Sequence, residues 1–338
     1  MAAHAVRAPG RVNLIGEHTD YTGGLVLPIA IDRWTRIDFE PAERIELSST
    51  DEALPISLPL VVDDPAAVRP EWGRYVAGVV AELHPTTGIR GTISTDIPIG
   101  AGLSSSAALE VAVALALGCE LPPIELAQLC RRAEHRASGV PSGIMDQLSI
   151  AAAVAEHALL IDCASLETTA VRVPDDVKVV VQFVAHRTLI GSPYAERVAE
   201  CAAAEQLVGP LRSASIADVE GITDPIVRAR ARHIVTENAR VLRFAEALRD
   251  HDLVSAGQLM IEGHASMRDL YGISTPAMDA AVERAAERPG VYGARMTGGG
   301  FGGCIVVLAD PSADVDGWVV RPVGRAGRID DEQPEEQT

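Results

Sequence analysis

The chain has 338 residues, of which 47% are hydrophobic and 22% charged, so it can bury a core and is not intrinsically disordered. Its formal net charge is −18, and an acidic surface repels phosphate backbones and anionic headgroups, which argues against binding to nucleic acid or a membrane. The five cysteines are scattered and the first residues carry no apolar signal region, so we expect a cytoplasmic protein without a disulfide framework.

The first half of the chain mixes predicted strands with two helices. Apolar or alternating runs predict strands at residues 25–31, 35–39, 91–97, 159–162 and 178–184. One helix is predicted from Ser104 to Gly118. A second is predicted from Pro122 to Gly139, because proline is favoured at the first turn and glycine just past the end.

The second half is predicted to be mostly helical. Apolar residues at three- and four-residue spacing predict helices at 193–208, 225–249, 253–270 and 276–287, and an apolar strand follows at 304–308. Thr275 is a candidate N-cap before Pro276. The change in character predicts an N-terminal domain of residues 1–184, a C-terminal domain of residues 185–328 and a solvated acidic tail of residues 329–338.

A glycine-rich loop at residues 98–109 lies between a predicted strand and a predicted helix. Gly100 and Gly102 let backbone amides approach an anion, and Ser104 opens a helix whose free N–H groups favour phosphate. A Walker A loop needs a lysine, whereas the only lysine of the chain is Lys178, and the dinucleotide fingerprint needs a glycine where Ser105 stands. A helix start with ordinary serine capping is the alternative; we favour phosphate binding without lysine.

A second group of polar residues lies near the N-terminus. Arg11, Asn13, Glu17, His18 and Asp20 fall within ten residues, among glycines and before an apolar run. Carboxylates and imidazole can bind vicinal hydroxyls, and a guanidinium can stabilise phosphate charge. A solvated loop is the alternative, but it explains poorly why every charge type is placed beside small residues.

Three segments together resemble one known family. Residues 10–21, Gly-Arg-Val-Asn-Leu-Ile-Gly-Glu-His-Thr-Asp-Tyr, are similar to the galactokinase signature of the GHMP small-molecule kinases. Residues 98–109 resemble the ATP-binding motif of that superfamily, and residues 296–304, Met-Thr-Gly-Gly-Gly-Phe-Gly-Gly-Cys, resemble its third motif. The three motifs occur in the family's order across nearly the whole chain.

The resemblance implies an α+β fold of two domains, with mixed sheets and helices and an active site in the cleft between them. The implied reaction phosphorylates the anomeric hydroxyl of galactose at the expense of Mg·ATP. From the residues alone, Asp146 is a candidate cap near a helix N-terminus, where the dipole favours a carboxylate. The family match instead implies that Asp146 lies beside the reacting hydroxyl, where it can accept a proton, and that Arg11 steadies it and the migrating phosphoryl group.

The resemblance also assigns the other site residues. Ser106 and Glu134 match Mg²⁺ ligands, a sensible pair because Mg²⁺ prefers a few protein oxygens together with phosphates and water. The sugar-contacting positions match Glu17, His18, Asp20, Gly143 and Tyr194. The ATP-binding positions match Gly100, Ala101, Gly102, Leu103, Ser104, Ser105, Ser106 and Ala107.

Two alternatives and one departure accompany this resemblance. A catalytically silent galactose and ATP sensor would lack phosphate-loop residues that this chain retains as Ser106 and Ala107. A kinase for N-acetylgalactosamine or arabinose is the other alternative. The family usually has a helix after the third motif, whereas residues 309–319 leave little room for one. We expect a monomer.

Overall fold

The computed structural model describes residues 4–186 and 191–329, so the predicted acidic tail lies outside the described residues except for Ile329. The described strands form a six-stranded, a four-stranded and a three-stranded sheet. No helix in the described part of the chain is long and apolar enough to cross a membrane.

The six-stranded sheet and the helices packed beside it carry the N-terminal motifs. Its strands, in spatial order, are β13 (Gly327–Ile329), β1 (His4–Asn13), β3 (Pro28–Ala42), β6 (Gly88–Thr95), β4 (Ile45–Ser49) and β5 (Ile56–Leu58). The helices are α1 (Gly73–Leu83), α2 (Ser105–Ala116), α3 (Pro123–Ser138) and α4 (Met145–Ala151). Helix α2 packs on β1 and β3 through an alanine- and valine-rich face, so small residues bring the helix start close to β1.

A small sheet and a second, larger layer complete the fold. The small sheet contains β2 (Leu25–Val26), β7 (His157–Asp162) and β8 (Thr168–Arg172). The four-stranded sheet contains β10 (Val291–Thr297), β11 (Gly303–Ala309), β9 (Lys178–Ala185) and β12 (Trp318–Val320). Its helices are α5 (Tyr194–Val208), α6 (Ile216–Glu220), α7 (Pro225–Arg249), α8 (Leu253–Ser266) and α9 (Pro276–Ala286), with a π-helical turn (Met267–Tyr271) after α8.

The apolar interior divides into two clusters. The larger one lies mainly beneath the six-stranded sheet, and its members include Val6, Ile37 and Val111. The smaller one lies beneath the four-stranded sheet and includes Tyr271 and Ile305. Burial of these side chains is the main term that stabilises the fold.

The strand pairing crosses the predicted division of the chain near residue 185. Strand β9 ends at Ala185, the predicted boundary, and pairs with β11 and β12 of the four-stranded sheet. Strand β13 returns to pair with β1, so residues near the C-terminal end complete the N-terminal sheet. Between β11 and β12 the described residues 310–317 form turns and loop rather than a helix, as the short segment predicted. Lys178 donates to the carbonyl of Ala313 and fixes this loop.

Candidate active site

A cavity of about 440 Å³ lies where the N-terminal signature, the glycine-rich loop and the third glycine motif meet. Most of the predicted site residues line it: Arg11, Glu17, His18, Asp20, Gly100, Gly102, Ser104, Ser105, Ser106, Glu134, Gly143, Asp146 and Tyr194. Three predicted ATP-loop residues do not line it, because the side chains of Ala101, Leu103 and Ala107 are buried in the core and anchor the loop.

Asp146 and Arg11 form the central ion pair of the cavity. Asp146 lies in the first turn of α4, and Arg11 lies on β1. The Arg11 Nε and Nη2 atoms lie 2.8 and 2.7 Å from Asp146 Oδ1, and Arg11 Nη1 donates to the Gly102 carbonyl at 2.7 Å. Arg11 is 3% exposed and Asp146 29%, so the guanidinium is fixed while the carboxylate faces the cavity.

Ser104 precedes α2 but does not cap it. Its hydroxyl donates to Asp146 Oδ2, and within the described structure the side chain makes no hydrogen bond to the α2 backbone. Ser104 has φ of 60°, and Gly100 and Gly102 have φ of 75° and 82°. This left-handed backbone is uncommon for a non-glycine residue. Among the described residues, the first N–H groups of α2 have no side-chain cap, and Ser105 and Ser106 of this turn line the cavity. The geometry therefore favours an anion-binding loop over a serine-capped helix start.

Glu134 lies on α3 and faces the same loop. Its carboxylate accepts hydrogen bonds from Ser106 at 3.3 Å, Ser142 at 2.9 Å and Gln147 at 2.9 Å. Burial, followed by the charge of Asp146, raises the pKa of Glu134 above its ordinary value. A cation bound at these oxygens would offset that penalty, and carboxylate and hydroxyl oxygens are the donors that Mg²⁺ prefers.

Gln147 also donates to Glu110 at 3.1 Å, so it links two buried carboxyl groups. Glu110 is 0% exposed, and burial raises its pKa well above the ordinary range. The sequence analysis did not identify Glu110, which interrupts an apolar run within a predicted helix. A charged residue at a core position of a predicted helix was the available signal.

Asp20 and Gly143, both in the wall of the cavity, contact each other. A Cβ atom on Gly143 would lie 1.9 Å from Asp20 Oδ2, so only glycine allows this approach. Burial, followed by the charge of Asp146, raises the pKa of Asp20 from 3.8 to about 6. Asp20 is therefore a carboxylate whose charge is poorly compensated by the protein.

Glu17 lies deeper and is held by residues from the second layer. Its carboxylate pairs with Arg295 of β10, and the same Arg295 atom lies 2.8 Å from Glu237 of α7. Burial, the largest effect, raises the pKa of Glu17 to about 7, although Arg295 opposes the rise. Glu237 has the opposite outcome: burial raises its pKa, but Arg295 and Arg240 together more than offset this and lower it.

His18 lies among tyrosines at the edge of the third glycine motif. Its ring centroid is 5.0 Å from that of Tyr194 and 4.9 Å from that of Tyr271. The motif forms a tight turn between β10 and β11, where Gly300 has φ of 78° and a Cβ would lie 2.7 Å from a side-chain atom of Ile273. Close packing thus explains this part of the motif and holds its first glycines at the cavity wall.

Two aromatic residues at the far end of the cavity were missed by the sequence analysis. Trp72 and Tyr75 line the cavity at the start of α1, and the Trp72 indole donates to the Leu54 carbonyl at 3.1 Å. Helix α1 itself was not predicted. The available signal was two scarce aromatics three residues apart, which lie on one face of a helix.

The comparisons with known proteins first define the class. Models of the GHMP kinase N-terminal and C-terminal domains match residues 74–154 and 244–317. The crystal structure of the Methanococcus jannaschii mevalonate kinase superposes with a TM-score of 0.70 at 22% identity, over 95% of this chain and 98% of that one. The fold is that of a GHMP small-molecule kinase.

The particular family follows from closer relatives. A model of the galactokinase galactose-binding signature matches residues 2–41. Galactokinases of Chloroflexus aurantiacus and Homo sapiens are each 42% identical, over 93% and 91% of this chain and 88% and 84% of their own. A crystal structure of the Lactococcus lactis galactokinase complexed with galactose has a TM-score of 0.91 at 30% identity, over 97% of this chain and 95% of that one. The chain belongs to the galactokinase family.

Proposed function

We propose that this enzyme transfers the γ-phosphoryl group of ATP to the anomeric hydroxyl of galactose, giving galactose 1-phosphate and ADP. The observation that carries the proposal is Arg11, which pairs with Asp146 and donates to the Gly102 carbonyl, so that the galactokinase signature, α4 and the glycine-rich loop meet inside one cavity. Family membership supports ATP as the co-substrate.

The nucleotide end of the cavity runs from the glycine-rich loop to Trp72 and Tyr75. The open N-terminus of α2 suits the phosphates, since free N–H groups and the helix dipole favour anions. The aromatic faces of Trp72 and Tyr75 suit a planar base. The roles of residues 100–107 are proposed on this basis.

We assign Ser106 and Glu134 as the residues that hold Mg²⁺ together with the ATP phosphates. The cation supplies neutralisation of phosphate charge when it is bound. Glu134 is kept in position by Ser142 and Gln147, so its oxygens face Ser106 across the loop.

The sugar end is formed by Glu17, His18, Asp20, Gly143 and Tyr194. Asp20 is the strongest candidate for binding vicinal hydroxyls, because its carboxylate faces the cavity beside the bare backbone of Gly143. Sugar hydroxyls that donate to Asp20 would compensate the charge that burial penalises.

Asp146 is the proposed acceptor of the proton from the anomeric hydroxyl. Arg11 and Ser104 hold the carboxylate from two sides, so that it keeps one orientation while the hydroxyl attacks in line. Phosphoryl transfer depends mainly on such positioning and on charge stabilisation. Arg11 is also the proposed residue that stabilises charge on the migrating group.

The test is ADP release by purified enzyme with Mg·ATP and galactose, glucose, N-acetylgalactosamine or arabinose. We expect turnover mainly with galactose. Equal turnover with N-acetylgalactosamine or arabinose would favour the related-sugar alternative. Galactose and ATP binding without turnover would favour the sensor. The proposal also includes a monomeric, cytoplasmic enzyme whose two domains divide near residue 185. Light scattering tests its mass in solution.

A further inference from the structure

A hydrogen-bond chain of four side chains runs from α5 to the cavity. The Cys201 sulfur lies 3.1 Å from the Tyr271 hydroxyl, which bonds to the Tyr21 hydroxyl. The Tyr21 hydroxyl lies 2.8 Å from Nδ1 of His18. On the other side of the ring, Nε2 of His18 lies 3.2 Å from the carbonyl oxygen of Gly299.

The Gly299 carbonyl determines the direction of every bond in this chain. A carbonyl oxygen only accepts, so Nε2 of His18 carries a hydrogen. In a neutral imidazole, Nδ1 then has a lone pair, and the Tyr21 hydroxyl donates to it. The Tyr21 oxygen accepts from the Tyr271 hydroxyl, whose own oxygen accepts from the Cys201 thiol. Each group donates once, and the chain is satisfied without reversal.

The three donors retain their hydrogens near neutral pH. Burial raises the pKa of Tyr21 and Tyr271 well above the ordinary range, and it raises the pKa of Cys201 to about 12. Tyr271 and Cys201 are 0% and 1% exposed, so water does not compete for these bonds. The two phenols and the thiol of this hydrogen-bond chain therefore stay protonated at the pH of an assay.

The backbone fixes the position of Tyr271, in the middle of the hydrogen-bond chain. Tyr271 ends the π-helical turn after α8, a geometry that is often found at functional sites. The ring of His233 lies against it at a centroid distance of 4.5 Å, and His233 in turn contacts the Glu17 carbonyl at 3.2 Å. The phenol thus has one position, between α5 and the N-terminal signature.

We propose that Tyr21, supported by Tyr271 and Cys201, is a positioning residue that acts together with the Gly299 carbonyl to hold His18 as the Nε2–H tautomer, so that its ring presents a hydrogen-bond donor to the sugar. The inference rests on the proposed function, in which His18 contacts galactose. As long as Tyr21 donates to Nδ1, a sugar hydroxyl that replaces the 3.2 Å contact to Gly299 accepts through its oxygen. The tautomer becomes a determinant of sugar recognition.

The first test reads the tautomer without any turnover. Ring ¹⁵N chemical shifts of His18, assigned with a His18→Gln variant, are expected to show a protonated Nε2 and a bare Nδ1. In Tyr21→Phe, which lacks the donor to Nδ1 and keeps only the Gly299 carbonyl to favour Nε2–H, we expect a mixture of tautomers. A protonated Nδ1 in the wild type, or an unchanged spectrum in Tyr21→Phe, would overturn the proposal.

The second test separates positioning from general damage. Tyr21→Phe is expected to raise the galactose KM about fivefold, the value of one neutral hydrogen bond, with kcat and the ATP KM within about twofold. Tyr271→Phe and Cys201→Ala should have smaller effects in that order, and Cys201→Ser, which restores a donor, should recover the wild-type KM. Tyr292→Phe, half-buried under α8, is the matched control.

The positioning role of Tyr21 and the phosphorylation of galactose can be disproved separately. If Tyr21→Phe lowers kcat and raises the KM of both substrates alike, the positioning role is wrong although the enzyme is still a galactose kinase. If the wild type does not phosphorylate galactose, the proposed function fails, and the ring ¹⁵N shifts still decide whether the chain sets the tautomer.

Discussion

Asp146 is the residue on which the proposed chemistry depends most. Replacing it by Asn keeps the shape but removes the charge and most of the basicity, so kcat should fall by about 10²–10⁴-fold. Nucleotide binding should be retained, because the glycine-rich loop is anchored separately by the buried Ala101 and Leu103. Steady-state kinetics and calorimetric titration with ATP give the two quantities.

The control for this variant is Asp175→Asn, since Asp175 is a surface aspartate with 78% exposed side chain and an arginine partner. Its kcat should equal that of the wild type. A wild-type kcat for Asp146→Asn would remove Asp146 from the mechanism, whereas loss of ATP binding would mean that the substitution disturbs the whole loop.

Asp20 combines a binding role with a cost in stability. Its pKa of about 6 in the folded state lies above the ordinary 3.8, so the fold favours the protonated form. Asp20 contributes this stability in its protonated form. The contribution is complete below about pH 4 and is lost as the pH rises through 6. Asp20→Asn should therefore be about 1–2 kcal/mol more stable than wild type at pH 8, a value reduced by partial solvent screening, and equal to it below pH 4.

The same substitution should weaken the binding of galactose. Loss of a charged hydrogen-bond acceptor raises the galactose KM about tenfold or more. Urea unfolding at pH 4 and pH 8 and galactose saturation curves measure the two effects, with the exposed Asp38→Asn as the reference. If Asp20→Asn is less stable at pH 8, Asp20 stabilises the fold and the burial argument is wrong.

At the scale of elements, two serines at helix starts differ in function. Ser215 caps α6 by a reciprocal bond with Asp218, whereas the Ser104 hydroxyl is directed to Asp146 and leaves α2 uncapped. Ser215→Ala should cost about 1 kcal/mol of stability and leave kcat unchanged. Ser104→Ala should lower kcat about tenfold or less and change the stability by less than Ser215→Ala does.

Thermal unfolding and kinetics of the two variants decide whether Ser104 caps α2 or positions Asp146. If Ser104→Ala unfolds about 2–4 °C earlier with normal kcat, as loss of a 1 kcal/mol cap does in a domain of roughly 150–250 residues, the serine is a structural cap after all. The uncapped start of α2 would then no longer support phosphate binding there.

Element prediction worked where local signals were complete. Helix α7, predicted at residues 225–249, is observed at Pro225–Arg249, because Asp224 caps it and Pro225 suits the first turn. Strand β1 escaped prediction, since its polar signature residues indicate a loop until the pairing with β3 and β13 is known. A partner more than 300 residues away leaves no local pattern.

The site was predictable to the extent that motifs carry it. The three glycine and polar motifs contain many of the residues that line the cavity, but they do not reveal the network that positions them. Arg295 precedes the third motif in the sequence and looks like a surface arginine, yet it is 0% exposed. Its partners Glu17 and Glu237 are distant in the chain, so only the fold reveals the cluster.

At the scale of the whole molecule, this cluster fastens the N-terminal signature to the second layer. Glu237 accepts from the Gly16 backbone N–H at 3.0 Å as well as from Arg295, so the cluster joins the signature loop, α7 and β10. Arg295→Met leaves two buried carboxylates without this cation. Removing one partner of a buried ion pair typically costs about 3–5 kcal/mol, and we expect that loss in the free energy of unfolding.

Arg172→Met provides the matched surface comparison. Arg172 pairs with Glu156 and Asp175, each at 2.9 Å, but is 52% exposed, so its loss should cost under about 1 kcal/mol. Urea unfolding of both variants at pH 8, where both acids of the buried cluster are under most pressure to ionise, gives the difference. Similar losses for the two variants would mean that the buried carboxyl groups protonate at little cost. The two layers would then be held together mainly by apolar contacts.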